Sequence, residues 1–262
     1  MHFDFHALTD TGRLRSNNED AVAVDPAHQV VVLADGMGGY NAGEVASDMA
    51  TRWICSELAR WLKEVGQAAS RRDVQRAMEI CVDQASQAVH SAARAHPPYA
   101  GMGTTLVMGV FQASRCFIGH VGDSRCYRLR GHQLQTLTRD HTLLQEQIDA
   151  GLISPAQAAQ AEHRHLLTRA LGVADTVLLE VNEFPVEAND LFLFCSDGLN
   201  DMLADSEIAA ILSGMGSLGE KAQALVAAAN AKGGRDNISV ILVQRKPRPQ
   251  RRRWLIGLSG RS

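Results

Sequence analysis

The chain has 262 residues and a formal net charge of −3, and 45% of its residues are apolar. This length suits one large domain or two small ones, and the apolar content allows a large core. No apolar run approaches the roughly 18 to 20 residues that span a bilayer. Residues 1–5 also lack the charged and apolar regions of a signal peptide, so we expect a cytoplasmic protein.

The charge distribution and the cysteine content limit the possible partners and metal sites. Residues 245–262 carry seven Lys or Arg and no acid, so the chain before them carries −10. This acidity argues against nucleic acid as a partner, because binding a phosphate backbone needs a basic surface. The five cysteines include no C-x-x-C pair, which is typical of buried thiols in a reducing compartment and argues against structural zinc.

The predicted elements come in blocks of strands separated by pairs of helices. Strands are predicted at 3–8, 21–25, 29–34, 104–111, 115–120, 125–130, 133–138, 177–184, 190–196 and 237–244. Helices are predicted at 43–65, 72–95, 206–212 and 218–231. The apolar face of the first helix is predicted to comprise Val45, Met49, Trp53, Ile54, Leu58, Trp61 and Leu62. This order favours an α+β fold over a doubly wound sheet, with residues 1–244 as one domain.

Acidic motifs stand at the ends of several predicted strands. They are Arg15-Ser16-Asn17-Asn18-Glu19-Asp20, Asp35-Gly36-Met37-Gly38-Gly39, Ser196-Asp197-Gly198 and Gly234-Arg235-Asp236-Asn237. Each Asp-Gly pair by itself could be a hairpin turn. Carboxylates that converge from distant parts of a chain can instead form an oxygen-only site for hard divalent metals, and the set as a whole favours that interpretation.

This set of motifs resembles the metal-dependent protein phosphatase family, also called protein phosphatase 2C, in its bacterial form. The resemblance covers about residues 5–244 and includes Gly101–Leu106 and Leu167–Gly172. It implies a four-layer α-β-β-α sandwich, in which two central antiparallel sheets are flanked by helix pairs. It also implies a flap at about 141–167 beside the active site, although the same polar stretch could be an inert pair of surface helices.

The resemblance implies hydrolysis of phosphoserine and phosphothreonine in proteins, by attack of a water that bridges two metal ions. Asp35 would be the carboxylate that both ions share, and Gly36 would supply a backbone carbonyl to one ion. Asp197 and Asp236 would hold the other ion. Arg15 would grip the substrate phosphate through its guanidinium. Oxygen ligands favour Mn²⁺ or Mg²⁺ over zinc.

The remaining site residues have supporting roles in the same resemblance. Glu19 and Asp20 would act mainly through bound waters, and Asn237 would orient Asp236. Asp123 matches an acid that bacterial members use, together with Asp197, for a weaker third metal. As an alternative, Asp123 could simply cap a turn.

Two positions depart from relatives that have a histidine. This chain has Met37 and Tyr40 there, so the proton donor for the leaving group is open between a metal-bound water and a histidine such as His141. Thr104 and Thr105 are expected to pack the start of a strand rather than to touch substrate.

Other activities are also considered. None of the five cysteines is followed by Arg at the spacing of a cysteine-dependent phosphatase, and no G-x-S-x-G motif is present. The alternative function is a catalytically inactive module that binds phosphoproteins. Such a module would be expected to have lost an acid of the metal site, whereas this chain retains Asp20, Asp35, Asp197 and Asp236.

Partners can be predicted only by class. We expect phosphorylated protein substrates, a cognate bacterial Ser/Thr kinase that the enzyme opposes, and a monomer. The basic tail, 245–262, combines positive charge with the apolar segment Trp254-Leu255-Ile256. It could contact an anionic membrane or an acidic partner, or it could only solubilise the chain.

Overall fold

The computed structural model describes residues 3–39, 42–66, 68–154, 157 and 166–246. The strands are β1 Phe3–Asp10, β2 Asp20–Asp25, β3 Val30–Met37, β4 Gly103–Thr104, β5 Leu106–Phe111, β6 Arg115–Val121, β7 Arg125–Arg130, β8 Gln133–Thr136, β9 Glu180–Pro185, β10 Leu191–Cys195 and β11 Ile238–Arg245. The helices are α1 Ala42–Val65, α2 Arg71–Ala95, α3 Leu143–Asp149, α4 Asp197–Asn200, α5 Asp205–Ser213 and α6 Leu218–Ala231.

The strands form two antiparallel sheets. One sheet has the order β1-β11-β10-β7-β8, and the other has the order β2-β3-β5-β6-β9 with β4 paired to β3. Helices α1 and α2 pack on the second sheet, and α5 and α6 pack on the first. The result is the predicted α+β sandwich of four layers, so the fold class is confirmed.

Strands β3, β5 and β10 are buried on both faces over their apolar parts, which explains why their sequences read as apolar runs. In β10, Phe192 and Phe194 point between the sheets, whereas Leu191 and Leu193 point toward α5 and α6. In β3, Val31 and Leu33 likewise point between the sheets, and Val30 and Val32 point toward α1 and α2. Successive side chains of a strand alternate between its two faces. The core therefore has three layers, and the middle one lies between the sheets.

Several predicted boundaries are wrong in ways that matter near the candidate site. Strand β3 continues through Asp35 and Gly36 to Met37, because Gly36 and Met37 pair with β4. The Asp35-Gly36 pair is therefore part of a strand and not a hairpin turn. Asp197 likewise opens the short helix α4 rather than a turn.

The predicted apolar face of α1 is only partly correct. Ile54, Leu58 and Leu62 are buried, but Trp53 is 43% exposed. The rest of the buried face consists of small residues such as Ala46 and Ala50, which let the helix lie close to the sheet.

Parts of two predicted segments lie outside the described residues. Of the flap, helix α3 and the strand-like ends at residues 142 and 167 are described, and 155–156 and 158–165 are not. Tyr40 and residues 247–262 also fall outside. None of the helices in the described ranges combines the length and the apolar character needed to cross a membrane. The five cysteines are all buried free thiols, as the sequence predicts.

Candidate active site

At one end of the sandwich, the rows of residues between the sheets change from apolar to polar. The rows read Val24, Val22 and Asp20 on β2; Val31, Leu33 and Asp35 on β3; Phe192, Phe194 and Ser196 on and after β10; and Val243, Ile241 and Ser239 on β11. Residues two positions apart on a strand share a face. The same alternation that builds the middle core therefore brings the two aspartates and the two serines together at its edge.

An open pocket of about 270 Å³ lies at this edge. The described residues that line it are Arg15, Glu19, Asp35, Gly36, Met37, Gly38, Thr105, Asp123, Leu167, Asp197, Asp236 and Asn237. They include every site residue predicted from the sequence except Asp20, which is buried and faces Asp35 across the β2–β3 pair. Five carboxylates and one guanidinium line the pocket, so its charge is strongly negative.

Asp20 is the most deeply buried acid of the group. Its Oδ2 atom accepts a hydrogen bond of 2.8 Å from Ser196 Oγ, which in turn accepts one of 3.0 Å from the Ser239 backbone N–H. Its Oδ1 atom is buried and has no hydrogen-bond partner among the described residues. Burial, together with the nearby charges of Asp197 and Asp236, raises the pKa of Asp20 to about 7. Ser196 thus anchors Asp20 through its Oδ2 atom.

Asp35 is held through its backbone by two threonines. The Asp35 N–H donates to Thr105 Oγ1 at 3.0 Å, and the Asp35 carbonyl accepts from Thr105 N–H and Thr104 Oγ1, both at 2.9 Å. Loss of hydration and the charges of nearby acids, Asp20 first among them, raise the pKa of Asp35 well above its ordinary value. Thr104 and Thr105 are both buried, as predicted, and Thr105 also lines the pocket.

The backbone around Gly36 is too crowded for a side chain. A Cβ at Gly36 would lie 2.1 Å from the Gly43 carbonyl oxygen of α1 and 2.7 Å from the Glu19 carbonyl oxygen. That Glu19 carbonyl accepts hydrogen bonds from the Gly36 N–H at 3.0 Å and from Ser47 Oγ at 2.6 Å. The start of α1 therefore locks the Glu19 segment against β3, and this contact brings Glu19 to the pocket.

Asn237 ties together the loops that carry the other acids. Its Oδ1 atom accepts from the Glu19 N–H at 2.8 Å, and its Nδ2 group donates to the carbonyls of Thr11 and Asn17, both at 2.9 Å. Its backbone N–H donates to Asp236 Oδ1 at 2.8 Å. A Cβ at Gly198 would lie 2.0 Å from the Asn237 carbonyl oxygen, so α4 and Asp197 pack directly on this loop.

Arg15 reaches the pocket from its rim. Its side chain is 54% exposed, and its Nη2 atom lies 2.6 Å from Asp236 Oδ2. The hydrogen bond that Arg15 donates to Asp236 raises the pKa of Arg15, so the guanidinium stays charged. Among the described residues that line the pocket, this is the single cationic group.

Asp123 lies in the loop between β6 and β7, is buried and lines the pocket. His141 lies behind this loop and is not among the described residues that line the pocket. Its Nδ1 atom accepts a hydrogen bond of 3.2 Å from the Gly122 N–H. The prediction that His141 could protonate the leaving group is therefore not supported by its position.

The supporting residues Thr105, Ser196 and Ser239 were missed as functional residues, although a signal for them was present. Each lies two positions beyond an inward-facing apolar residue, at the end where the row becomes polar. If the two-residue periodicity of each strand had been followed beyond its last apolar residue, these three residues would have been identified as neighbours of the acids.

The donor set suits hard divalent cations. The acids that line the pocket offer carboxylate oxygens, Gly36 adds a backbone position, and Asp20 has a buried oxygen without a hydrogen-bond partner among the described residues. Mn²⁺ and Mg²⁺ prefer such oxygen ligands. Bound cations would also offset the burial and the repulsion between acids that raise the pKa values of Asp20 and Asp35. The residues present therefore fit a metal site.

Comparison with known proteins finds similarity to serine/threonine phosphatases in both sequence and structure. A sequence model of the family described as "Protein phosphatase 2C" matches residues 13–235. The serine/threonine phosphatase stp of Listeria monocytogenes is 38% identical over 248 residues, which are 94% of this chain and 96% of that protein. The crystal structure of the Mycobacterium tuberculosis serine/threonine phosphatase PstP/Ppp has a TM-score of 0.85 at 33% identity and covers 94% of this chain and 100% of its own.

A second solved structure bears on the metal. The catalytic domain of the serine threonine protein phosphatase PstP in complex with two manganese ions has a TM-score of 0.79 at 33% identity. The match covers 92% of this chain and 97% of that one.

Proposed function

The chain belongs to the protein phosphatase 2C family, and we propose that it is a metal-dependent phosphatase of phosphoserine and phosphothreonine in proteins. The observation that carries the proposal is the pocket itself, in which five carboxylates and a single guanidinium of the described residues converge from distant parts of the chain. A phosphate dianion would be repelled by this pocket unless cations neutralised it. The names of the relatives as serine/threonine phosphatases support the same substrate class.

We assign the metal ligands from the resemblance to the family, and the convergence of these residues on one pocket supports the assignment. Asp35 would be shared between two ions, and Gly36 would offer its carbonyl to one of them. Asp197 and Asp236 would hold the other ion. Divalent cations, when bound, supply Lewis-acid stabilisation of phosphoryl charge and lower the pKa of a coordinated water. The two manganese ions named for the related PstP structure support Mn²⁺, and Mg²⁺ has the same ligand preference.

The outer acids would hold the ions less directly. Glu19 and Asp20 would act mainly through waters, and Asp20 has one oxygen without a protein partner in the described part of the chain. Asn237 would keep the Glu19 and Asp236 loops in register through its hydrogen bonds. As the resemblance implies, Asp123 and Asp197 would form a third and weaker cation site, and both residues line the pocket.

Arg15 would bind the substrate phosphate. A guanidinium matches two phosphate oxygens with two parallel hydrogen bonds, and it stays charged throughout the reaction. In this structure it pairs with Asp236, which places it at the mouth of the acidic pocket. With Asp236 engaged as a metal ligand, the Arg15 guanidinium would be available to a phosphate that enters from solvent. Its contribution is to orient the phosphoryl group and to neutralise charge that develops on it.

The physiological setting stays a prediction. The acidic catalytic part and the substrate class fit a cytoplasmic, monomeric enzyme that opposes a bacterial Ser/Thr kinase. The basic tail could add a peripheral contact with an anionic membrane or an acidic partner.

The test is release of phosphate from an aryl phosphate, measured with Mn²⁺ and again after chelation. We expect hydrolysis that requires the metal. If the purified protein hydrolyses neither aryl phosphate nor phosphopeptide at any Mn²⁺ or Mg²⁺ concentration, but still binds phosphopeptide, it is the inactive binding module instead.

A further inference from the structure

Three side chains of the types that bind metals cluster behind the pocket. They are His120 on β6, His141 after β8 and Glu180 on β9, and their candidate ligand atoms lie within 4.8 Å of one another. Both histidines are buried, and their rings are stacked with centroids 4.6 Å apart and an interplanar angle of 18°. This cluster is separate from the acidic pocket.

The hydrogen bonds of the cluster argue against a metal there. The Gly122 N–H donates to His141 Nδ1 at 3.2 Å, so the ring proton of a neutral His141 is on Nε2, which lies 3.4 Å from Glu180 Oε2. His120 Nε2 lies 2.8 Å from the Arg139 carbonyl and 3.4 Å from the Arg139 backbone nitrogen, and the shorter contact favours the tautomer in which Nε2 carries the proton and donates to the carbonyl. A metal needs a lone pair in the plane of each ring. Stacked rings with these protons cannot direct two lone pairs at one ion, so the cluster is a hydrogen-bonded assembly.

His141 connects this assembly to two segments of the active site. Besides the bond at Nδ1, its backbone N–H donates to the Gly122 carbonyl at 2.9 Å, so both polar groups of Gly122 are held by one residue. Gly122 precedes Asp123 and has a φ of +102°, a conformation that favours glycine. On the other side, the His141 carbonyl accepts from the Thr168 N–H at 2.9 Å, next to Leu167, which lines the pocket.

The base of the predicted flap is therefore joined to the Asp123 loop through one residue, by its backbone and by its side chain. Thr142 and Leu167 form a bridge that closes the flap base directly beside His141. Glu180 holds the far side of the ring, and its Oε1 atom accepts a further hydrogen bond of 2.9 Å from Asn182. Burial lowers the pKa of His141, which keeps the ring neutral and its Nδ1 atom able to accept.

We propose that His141 is a positioning residue that holds the Gly122–Asp123 loop in register with the flap base, and so sets the affinity of the cation site that includes Asp123. This inference rests on the proposed function, because it takes Asp123 as a metal ligand. Residues that orient metal ligands typically change metal affinity or activity by about 10 to 100-fold when they are mutated.

Two substitutions separate the contacts of the ring. In His141→Asn the short amide places an acceptor near the position of Nδ1 and keeps the bond to Gly122. In His141→Gln the longer amide reaches toward Glu180 and loses the acceptor at Gly122. His90→Gln is a matched control, because His90 Nδ1 also bonds a backbone group, the Gly172 carbonyl at 3.0 Å, and the residue does not line the pocket.

Mn²⁺ binding to the full chain is measured by calorimetry, alongside the Mn²⁺ dependence of aryl phosphate hydrolysis. We expect His141→Gln to weaken the weakest Mn²⁺ binding event about tenfold and to leave tighter events unchanged. His141→Asn should restore wild-type binding to within about twofold, and His90→Gln should have no effect. In an Asp123→Ala background, His141→Gln should add less than about a twofold further loss, because coupled residues are not additive.

The results that overturn the inference are equally specific. The inference is wrong if His141→Gln binds Mn²⁺ as tightly as the wild type. It is also wrong if His141→Asn weakens Mn²⁺ binding as much as His141→Gln does. An additional loss of the same size in the Asp123→Ala background would show that His141 supports the fold generally. Because Mn²⁺ binding is measured apart from hydrolysis, a wild-type protein that binds Mn²⁺ but releases no phosphate would contradict the proposed function and leave this inference to be judged on binding.

Discussion

Replacing Asp20 with asparagine should stabilise the metal-free protein while weakening its metal site. In the folded chain without cations, burial raises the pKa of Asp20 from the ordinary value of 3.8 to about 7. An acid with a raised pKa in the folded state keeps its proton longer than in the unfolded state. The free energy of unfolding of the metal-free protein therefore falls as pH rises from about 4 to about 7.

The size of the effect follows from the shift in the pKa. Each pKa unit corresponds to about 1.4 kcal/mol, so ionised Asp20 costs the folded metal-free protein about 4 kcal/mol at pH 8. Between pH 5 and pH 8 the wild type should lose about 3 kcal/mol from this group. Asp20→Asn removes the charge, and its amide oxygen can still accept from Ser196. At pH 8 the metal-free variant should be more stable than the wild type by about 2 to 4 kcal/mol.

Urea unfolding with chelator, at pH 5 and at pH 8, measures this difference. Asp25→Asn is a control on the same strand with the opposite expected sign. Burial alone would raise the pKa of Asp25, but the hydrogen bonds from His28 lower it overall, so Asp25→Asn should destabilise the protein at pH 8. The reasoning is refuted if metal-free Asp20→Asn is no more stable than the wild type at pH 8, or if its advantage is the same at pH 5.

Three further predictions concern the rim, the third cation site and the tail. Arg15→Ala should keep Mn²⁺ binding but lower kcat/KM for phosphopeptides by about 100-fold or more, because it removes a group that neutralises charge in the transition state. Loss of Mn²⁺ binding in calorimetry would contradict this role for Arg15. Asp123→Ala should weaken one Mn²⁺ binding event and lower turnover, whereas a crystal grown in high Mn²⁺ with no ion near Asp123 would make its role structural only. Deletion of 246–262 should leave aryl phosphate hydrolysis unchanged and reduce co-sedimentation with anionic vesicles at low salt; equal sedimentation of the full-length and shortened chains would exclude the membrane contact.

The sequence predicts the sheets well because burial on both faces leaves a simple signal. Apolar runs such as Leu191–Cys195 can hardly be anything but central strands in a chain of this length. Asp35 and Asp197 were recognisable as candidates because Asp35 directly follows such a run and Asp197 follows one after Ser196. What the runs do not reveal is where a strand ends, and β3 extends through Asp35 because β4 pairs with it.

Contacts between distant segments were harder to foresee. The buried face of α1 depends on how closely the helix approaches the sheet, and Gly43 allows an approach at which small residues are buried and Trp53 is left partly exposed. The position of His141 depends on the Gly122 loop, which folds back on it from 19 residues away. No local pattern around His141 indicates that partner, so the sequence left open a role as proton donor.

The most direct test of the metal-dependent phosphatase is phosphate release from a phosphothreonine peptide, compared between the wild type and Asp35→Asn over a range of Mn²⁺ concentrations. Asp35 lies at the edge of the middle core and lines the pocket, and we assign it to both ions. We expect the wild type to require Mn²⁺, to lose activity with chelator and to regain it when Mn²⁺ is restored. The variant should remain folded and stay inactive at every Mn²⁺ concentration. Near-normal turnover by Asp35→Asn, or wild-type turnover that chelation leaves intact, would contradict the account.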